Sequence, residues 1–164
     1  MTTESSAVLD HSEAATPPIT IRATTGSDSN AVNALLASSA LPTEGVADFL
    51  ATGYAVAEQT GRLIGVAGIE TYEQDGLLRS VAVDAALRGR GLGVALVQDR
   101  LHWARARGLR DLYLLTTTAP DFFARLGFTR IERAEAPAHM QSAPEFAVLC
   151  AATAITMRLS LSAG

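Results

Sequence analysis

The stretch LLRSVAVDAALRGRGLGVALV, residues 77 to 97, decides how the chain is read. It runs from an apolar strand through Gly89, Gly91 and Gly93, with Arg88 and Arg90 among them, into an amphipathic helical pattern. Glycine admits backbone conformations closed to other residues and lets a second group approach the main chain. The first turn of a helix presents N–H groups without intrahelical partners at the positive end of the helix dipole. Glycines and arginines at that place therefore favour an anion, and a large one such as a pyrophosphate. A Walker phosphate loop is excluded, because no Lys followed by Ser or Thr comes after the last glycine. A dinucleotide fingerprint counted from Gly89 fails at its third position, Val94, and no acidic residue closes a following strand. A tight turn whose glycines serve only helix packing stays open as the alternative.

Working outward toward the amino terminus, ITIRAT alternates as a strand, and SDSNAVNALLASSA follows as a helix. Ser27 or Asp28 can cap that helix, and Val32, Leu35 and Leu36 share one face. LPTEGVADFLATG reads as a loop and a short helix capped by Thr43 and stopped at Gly53. YAVAEQTGRLIGVAGIETY gives two strands joined through Gln59, Thr60 and Gly61, a hairpin. Asp75 and Gly76 are expected to turn the chain into GLLRSVAV, completing an antiparallel meander.

Toward the carboxyl terminus, the helix from about Gly91 to Gly108 carries Gly93, Val97, Leu101 and Ala104 in one stripe, with Arg105, Arg107 and Arg110 at its negative end. DLYLLTT is the next strand, and the intervening helix makes it a right-handed parallel crossover from LLRSVAV. APDFFARLGF gives a short helix stopped by Gly127, and FTRIERA and TAITMRLSL are the last strands. The fold class is α/β (α+β), with a mixed sheet.

Composition bounds the function. With 48% apolar and 18% charged residues the chain is globular, and no apolar run reaches the about 20 residues of a membrane-spanning helix. A formal charge of −4 gives no overall basic field for nucleic acid. The single cysteine, Cys150, excludes an internal disulfide and a cysteine-rich zinc site, and it fits a reducing cytoplasm. His11, His102 and His139 show no metal-ligand spacing. Residues 1–18, MTTESSAVLDHSEAATPP, lack a basic start followed by an apolar run, so they read as a disordered tail before one domain over 19–164.

Arg88, Gly91 and Gly93 stand in the spacing Arg-any-any-Gly-any-Gly, directly between a strand and a long helix, and FFARLGF follows further on. In these residues the chain resembles the GNAT family of acetyl-CoA-dependent acetyltransferases, over roughly residues 19 to 161. The resemblance implies a mostly antiparallel, twisted sheet of about seven strands with about four helices, its parallel central pair splayed around acetyl-CoA. It implies that backbone amides of Arg88, Gly89, Arg90, Gly91, Leu92, Gly93 and Val94 hold the pyrophosphate, that Val81, Ala82 and Val83 run beside the pantetheine arm, and that Thr117, Phe122 and Phe123 complete the coenzyme site. No metal is expected. LPTEGV, LLRSVAV, LYLLTTTAPDFFARLGF and EFAVLCAATAITM further resemble the arsenic-resistance N-acetyltransferases, relatives of enzymes acting on amino acids and phosphinothricin-like compounds. That implies a small-molecule amine as acceptor, amino-acid-like or an organoarsenical, acetylated as detoxification.

An amine attacks a thioester only when neutral, so a base or a water path must take its proton, and the departing thiolate needs an acid. Many relatives carry a Tyr acid in the fourth helix, but this chain has Phe123 there, preceded by Phe122, and neither can donate a proton. Water or the amine itself is left to protonate the sulfur. By the resemblance Glu70 is the base through water, its alternative being an exposed strand-end carboxylate. Arg79 shares a strand face with Leu77 and Val81 and needs an anion, either a substrate carboxylate or arsonate-like group or a Glu on a neighbouring strand. Thr43 and Glu44 lie in the loop that in the family covers the acceptor, with helix capping as the alternative, and Ser80 and Thr116 complete the expected substrate site. Tyr113 is expected in the core, Cys150 as a buried inert thiol or an arsenic ligand, and His139 in a loop. Two further readings stay open: an amino-acid acetyltransferase resembling N-acetylglutamate synthase, and an acetyl-CoA-binding regulatory module without catalysis, which Phe123 suggests. Neither nucleic acid nor membrane is an expected partner, and a homodimer through a sheet edge or the late strands is left open.

Overall fold

β-branched and apolar residues alternate through four runs that pair in sequence. In a computed structural model, which describes residues 16–149 and 153–161, these are β1 (Thr20–Ala23), β2 (Tyr54–Gln59), β3 (Arg62–Tyr72) and β4 (Asp75–Val83). They form an antiparallel meander. The helix α3 (Leu92–Ala106) then carries the chain across the sheet, so β5 (Asp111–Thr116) returns parallel to β4. The last strands are β6 (Thr129–Ile131) and β7 (Ile155–Ser160). The seven strands are ordered β1-β2-β3-β4-β5-β7-β6, with β7 inserted between β5 and β6. The other α-helices of the described residues are α1 (Ser29–Ser38), α2 (Val46–Gly53), α4 (Pro120–Arg125) and α5 (Ala138–Gln141).

Two apolar layers sandwich the sheet. On one side Val97, Leu101 and Ala104 of α3 pack on Ile69, Leu78, Leu112 and Leu114. On the other, Val32 and Leu36 of α1 and Val46 and Leu50 of α2 pack on Tyr54, Val56, Val66 and Ala82. Leu77 and Tyr113 meet Met140 of α5 and Phe146 beyond it on a third patch. Glycine permits close approach at one point in particular: a Cβ on Gly53 would sit 1.9 Å from the Ile69 carbonyl oxygen. From α3, Arg100 reaches the same place, its Nη1 donating to the Gly53 carbonyl at 2.9 Å.

Strand β4 is not uniform. Its register with β3 runs Gly68↔Arg79 and then Val66↔Ala82, so Ser80 and Val81 oppose Ala67 alone. Ser80 absorbs this bulge in the left-handed region, φ 60°, a conformation costing about 1–2 kcal/mol for a residue with a Cβ. Its hydroxyl meets the Tyr54 hydroxyl at 2.8 Å in the interior. The bulge overturns one expectation. Leu77, Arg79 and Val81 do not share a face, because Val81 packs on the α3 side while Leu77 packs on the opposite one.

Other local readings shift as well. The turn into β4 is Glu73–Gln74, not Asp75–Gly76, since Asp75 already pairs with Tyr72. Asp75 is buried against His139, and a Cβ on Gly76 would come within 2.6 Å of Leu112, so both are packing positions. Helix α2 begins after Gly45, φ 79°, and Thr43 serves it through its carbonyl rather than a side-chain cap. His139 lies on α5 instead of in a loop, with Nε2 at 2.7 Å from Asp75 Oδ2 and Nδ1 at 3.3 Å from Glu73. FTRIERA is a strand only over Thr129–Ile131, and a π-helical turn spans Glu145–Leu149. Cys150 lies outside the described residues, and so does the tail read at the amino terminus, apart from its last three residues.

Gly53→Ala is expected to lower unfolding stability by about 1–3 kcal/mol or more, because backbone, not a flexible side chain, fills the space a Cβ needs. Gly26→Ala, where nothing lies within 4 Å, serves as control, and urea midpoints with unchanged slopes check the difference.

Candidate active site

Parallel pairing between β4 and β5 covers only Gly76↔Leu112 and Leu77↔Tyr113. Beyond it the strands separate, and a cleft of about 700 Å³ opens between them. Its glycine-rich end is the entry to α3. Gly89 and Gly91 have φ of 80° and 82°, and no atom stands within 4 Å of a Cβ on either, so these glycines serve backbone conformation and not packing. Helix α3 has Gly91 as its N-cap and therefore no side-chain acceptor for its first N–H groups. Gly93 differs: a Cβ there would touch Phe122 at 3.4 Å. Arg88 is steered to this end by its Nε, which donates to the Val83 carbonyl at 3.1 Å.

Of the residues expected at the coenzyme, Val81, Ala82, Val83, Arg88, Gly89, Gly91, Leu92, Gly93, Val94, Thr117, Phe122 and Phe123 line the cleft. Arg90 does not; it borders a neighbouring hollow with Ile19 and Ile21. Phe122 and Phe123 meet edge to face, centroids 5.0 Å apart, and Phe123 continues into the core against Phe128. Of those expected at the acceptor, Arg79, Ser80 and Thr116 line the cleft, while Thr43, Glu44 and Glu70 are not on its wall. Thr116 also holds the turn into α4, its hydroxyl accepting from the Ala119 N–H at 3.0 Å.

Arg79 organises the other end. Its side chain is 1% exposed, with Nη1 donating to the Glu44 carbonyl at 2.9 Å and to Glu70 Oε2 at 3.4 Å, and Nη2 donating to the Pro42 carbonyl at 3.2 Å. Its Nε–H has no hydrogen-bond partner among the described residues. Desolvation opposes the charge of Arg79, but Tyr54, Glu145 and Glu70 outweigh it and hold the guanidinium pKa above its ordinary value. The neighbouring-strand Glu expected as one of its two anions is thus present. Glu70 is buried, not an exposed strand-end carboxylate, and burial pushes its carboxyl above the usual range against the pull of Arg79 and of the Tyr72 hydroxyl, which donates at 3.1 Å. Burial likewise pushes the Tyr54 phenol up to about 12. Tyr113 is a core residue.

Glu145 is the group that sequence reasoning missed. It lines the cleft from the π-helical turn and is buried. A charged residue in the otherwise apolar SAPEFAVL was the available signal.

The cleft, its glycine-rich helix entry and the separated strands coincide with a family model. Residues 32–128 match the Acetyltransferase (GNAT) family. The chain belongs to the GNAT family. Its curated relatives include an amino-acid acetyltransferase of Mycobacterium tuberculosis, 41% identical over 73 residues, which are 44% of this chain and 41% of that protein. The chain thus matches less than half the length of that relative. A crystal structure from Mycobacterium tuberculosis, in complex with CoA and NLQ, is 27% identical, with a TM-score of 0.74 over 86% of this chain and 98% of that one. N-acetylglutamate synthase from Neisseria gonorrhoeae, complexed with coenzyme A and N-acetyl-glutamate, shares the fold at a TM-score of 0.76 and 21% identity, over 89% of this chain and 36% of that one. None of these three is described as acting on arsenic. Among the described residues no helix is long and apolar enough to cross a membrane, and no His, Cys, Asp and Glu group could hold a metal ion.

The raised carboxyl of Glu70 gives a stability signature with a definite sign. Its folded pKa exceeds its unfolded one, so the stability it contributes is full below the unfolded value of about 4.3 and is lost as pH rises through the folded value. The stability difference between the wild-type chain and Glu70→Gln should therefore shrink from about pH 4 upward and then level, as read by urea unfolding across that range.

Proposed function

We propose that the chain is an acetyl-CoA-dependent N-acetyltransferase that moves an acetyl group directly to the amine of an amino-acid-like small molecule. One observation carries this reading: a single cleft joins an anion-receptive helix start at one end to a buried arginine with an unused N–H at the other. The membership in the GNAT family and the amino-acid acetyltransferase among its relatives support it.

The residues fit the coenzyme. N–H groups from Gly89 to Val94, with Arg88 beside them, would take the diphosphate, and the β4 backbone from Val81 to Val83, released from β5 by the splay, would run along the arm. When bound, the coenzyme supplies an activated acetyl thioester. Arg79 orients the acceptor by its carboxylate: Nε and Nη2 form one edge of the guanidinium, where Nε is unused and Nη2 has a second N–H beyond the one given to Pro42. The acceptor nitrogen then bonds to the acetyl carbon as the carbon–sulfur bond breaks. The acceptor, entering as an ammonium, gives up two protons. One leaves before attack and is received by Glu70 through water, its raised pKa bringing it closer to the acceptor's range, and the other leaves the nitrogen as the amide forms. Neither Phe122 nor Phe123 can return a proton to sulfur, so water or the amine itself supplies it. The setting is the cytoplasm, on the ground of the lone Cys150.

Acetyl-CoA-dependent thiol release across amino acids, phosphinothricin-like compounds, amino-organoarsenicals and polyamines tests this. Turnover of carboxylate-bearing amines is expected, and Arg79→Ala should lower kcat/KM for them by about 10²-fold, as loss of one partner of a buried charged contact does. Acetyl-CoA binding by calorimetry without turnover of any amine would instead favour a regulatory module. Turnover confined to the arsenicals would favour the arsenic-resistance reading.

Glu70→Gln is expected to lower kcat by about 10²-fold and to remove the carboxylate step of the acid limb of the pH profile, which in the wild-type chain should lie above the ordinary carboxylate range, leaving the step of the acceptor's own ammonium. Persistence of the carboxylate step in the variant would remove Glu70 as base.

A further inference from the structure

An acceptor amino acid brings its own charges into the cleft, and the groups that meet them can be enumerated. All 13 basic residues of this chain are arginines. Of these, Arg79 and Arg88 line the cleft and the others stand outside it. Arg88 sits at the glycine-rich end, anchored on the Val83 carbonyl, where the coenzyme diphosphate would take its charge. Arg79 is then the one guanidinium left for the acceptor among the described residues.

Two carboxylates flank it. Glu70 lies 3.4 Å from Nη1, and Glu145, 6% exposed, lines the same cleft and acts electrostatically on Arg79. Leu41 and Leu115 add apolar wall; Leu115 packs with the Leu77 and Phe146 patch on the face that carries Arg79.

Resting on the amino-acid reading above, we propose that the acceptor carries one carboxylate and no second anionic group. Its carboxylate completes Arg79, its ammonium is received by Glu145 before giving a proton to Glu70 through water, and an uncharged side chain lies against Leu41 and Leu115. A second carboxylate would stand beside Glu145 in a cleft whose two arginines among the described residues are already engaged, and a charge without a counter-ion next to a like one is unfavourable on both counts. Selectivity then comes from repulsion of the wrong substrate as much as from attraction of the right one.

Glutamine against glutamate, and asparagine against aspartate, hold shape constant while changing one charge. With the full chain and acetyl-CoA, thiol release should give each amide a kcat/KM at least about tenfold above its acid. In Glu145→Gln the ratio should fall severalfold toward one, because the acids are relieved of the repelling charge. Acids turned over as well as amides by the wild-type chain would overturn the proposal while leaving the amino-acid reading in place. An amide preference that the variant leaves unchanged would overturn it too. No turnover of any amino acid, with acetyl-CoA bound by calorimetry, would remove the amino-acid reading and the proposal together. Should Glu145→Gln not fold, the wild-type ratio decides alone.

Discussion

The separation of β4 from β5 after two residue pairs is the constraint on which the site depends. A central strand normally spends its N–H and C=O groups on both neighbours, and buried main-chain groups left without partners are costly. Here the outer half of β4 keeps β3 on one side and gives up β5 on the other. The bulge at Ser80 lies where this happens, and it turns Arg79 and Val81 to opposite faces. An apolar wedge on one side of the strand and a charged cluster on the other follow from the same added residue. Replacing partnered main chain by open cleft is tolerable only where a ligand or water supplies the missing bonds.

The charged cluster shows how a buried ion is retained. Arg79 has one carboxylate at 3.4 Å, longer than a strong bidentate contact, and finds the rest of its partners in two loop carbonyls, those of Pro42 and Glu44. The loop between α1 and α2 is thereby fastened to the middle of the sheet by a residue that also borders the cleft. Cleft wall and fold share one guanidinium, so changes there act on both.

Much of this architecture was legible from periodicity. The meander, the long crossover helix and the stop at Gly108 follow from alternation, from the 3.6-residue stripe and from glycines past helix ends. The special entry to α3 was legible because a glycine cluster at a helix entry has few physical uses, and here Gly89 and Gly91 have φ values that other residues adopt at a cost. What sequence reasoning missed depends on contacts between distant segments. Asp75 and Gly76 have turn chemistry, yet His139 and Leu112, far along the chain, fix them inside a strand. The bulge at Ser80 leaves no mark on the alternation of LLRSVAV, since apolar layers cover both faces. Glu145 lies in a segment without helical or strand periodicity, and only the fold brings it to Arg79.

The arginine contacts share a habit: Arg79, Arg88 and Arg100 each donate to main-chain carbonyls at the ends or edges of elements. A planar guanidinium with several N–H groups suits that work better than a single ammonium does. The chain has carried the preference through every basic position, and it contains no lysine. Guanidinium stays protonated across the biological pH range and is not a nucleophile, whereas a lysyl amine is readily acylated. A protein built to hold a reactive thioester thus offers it no side-chain amine of its own.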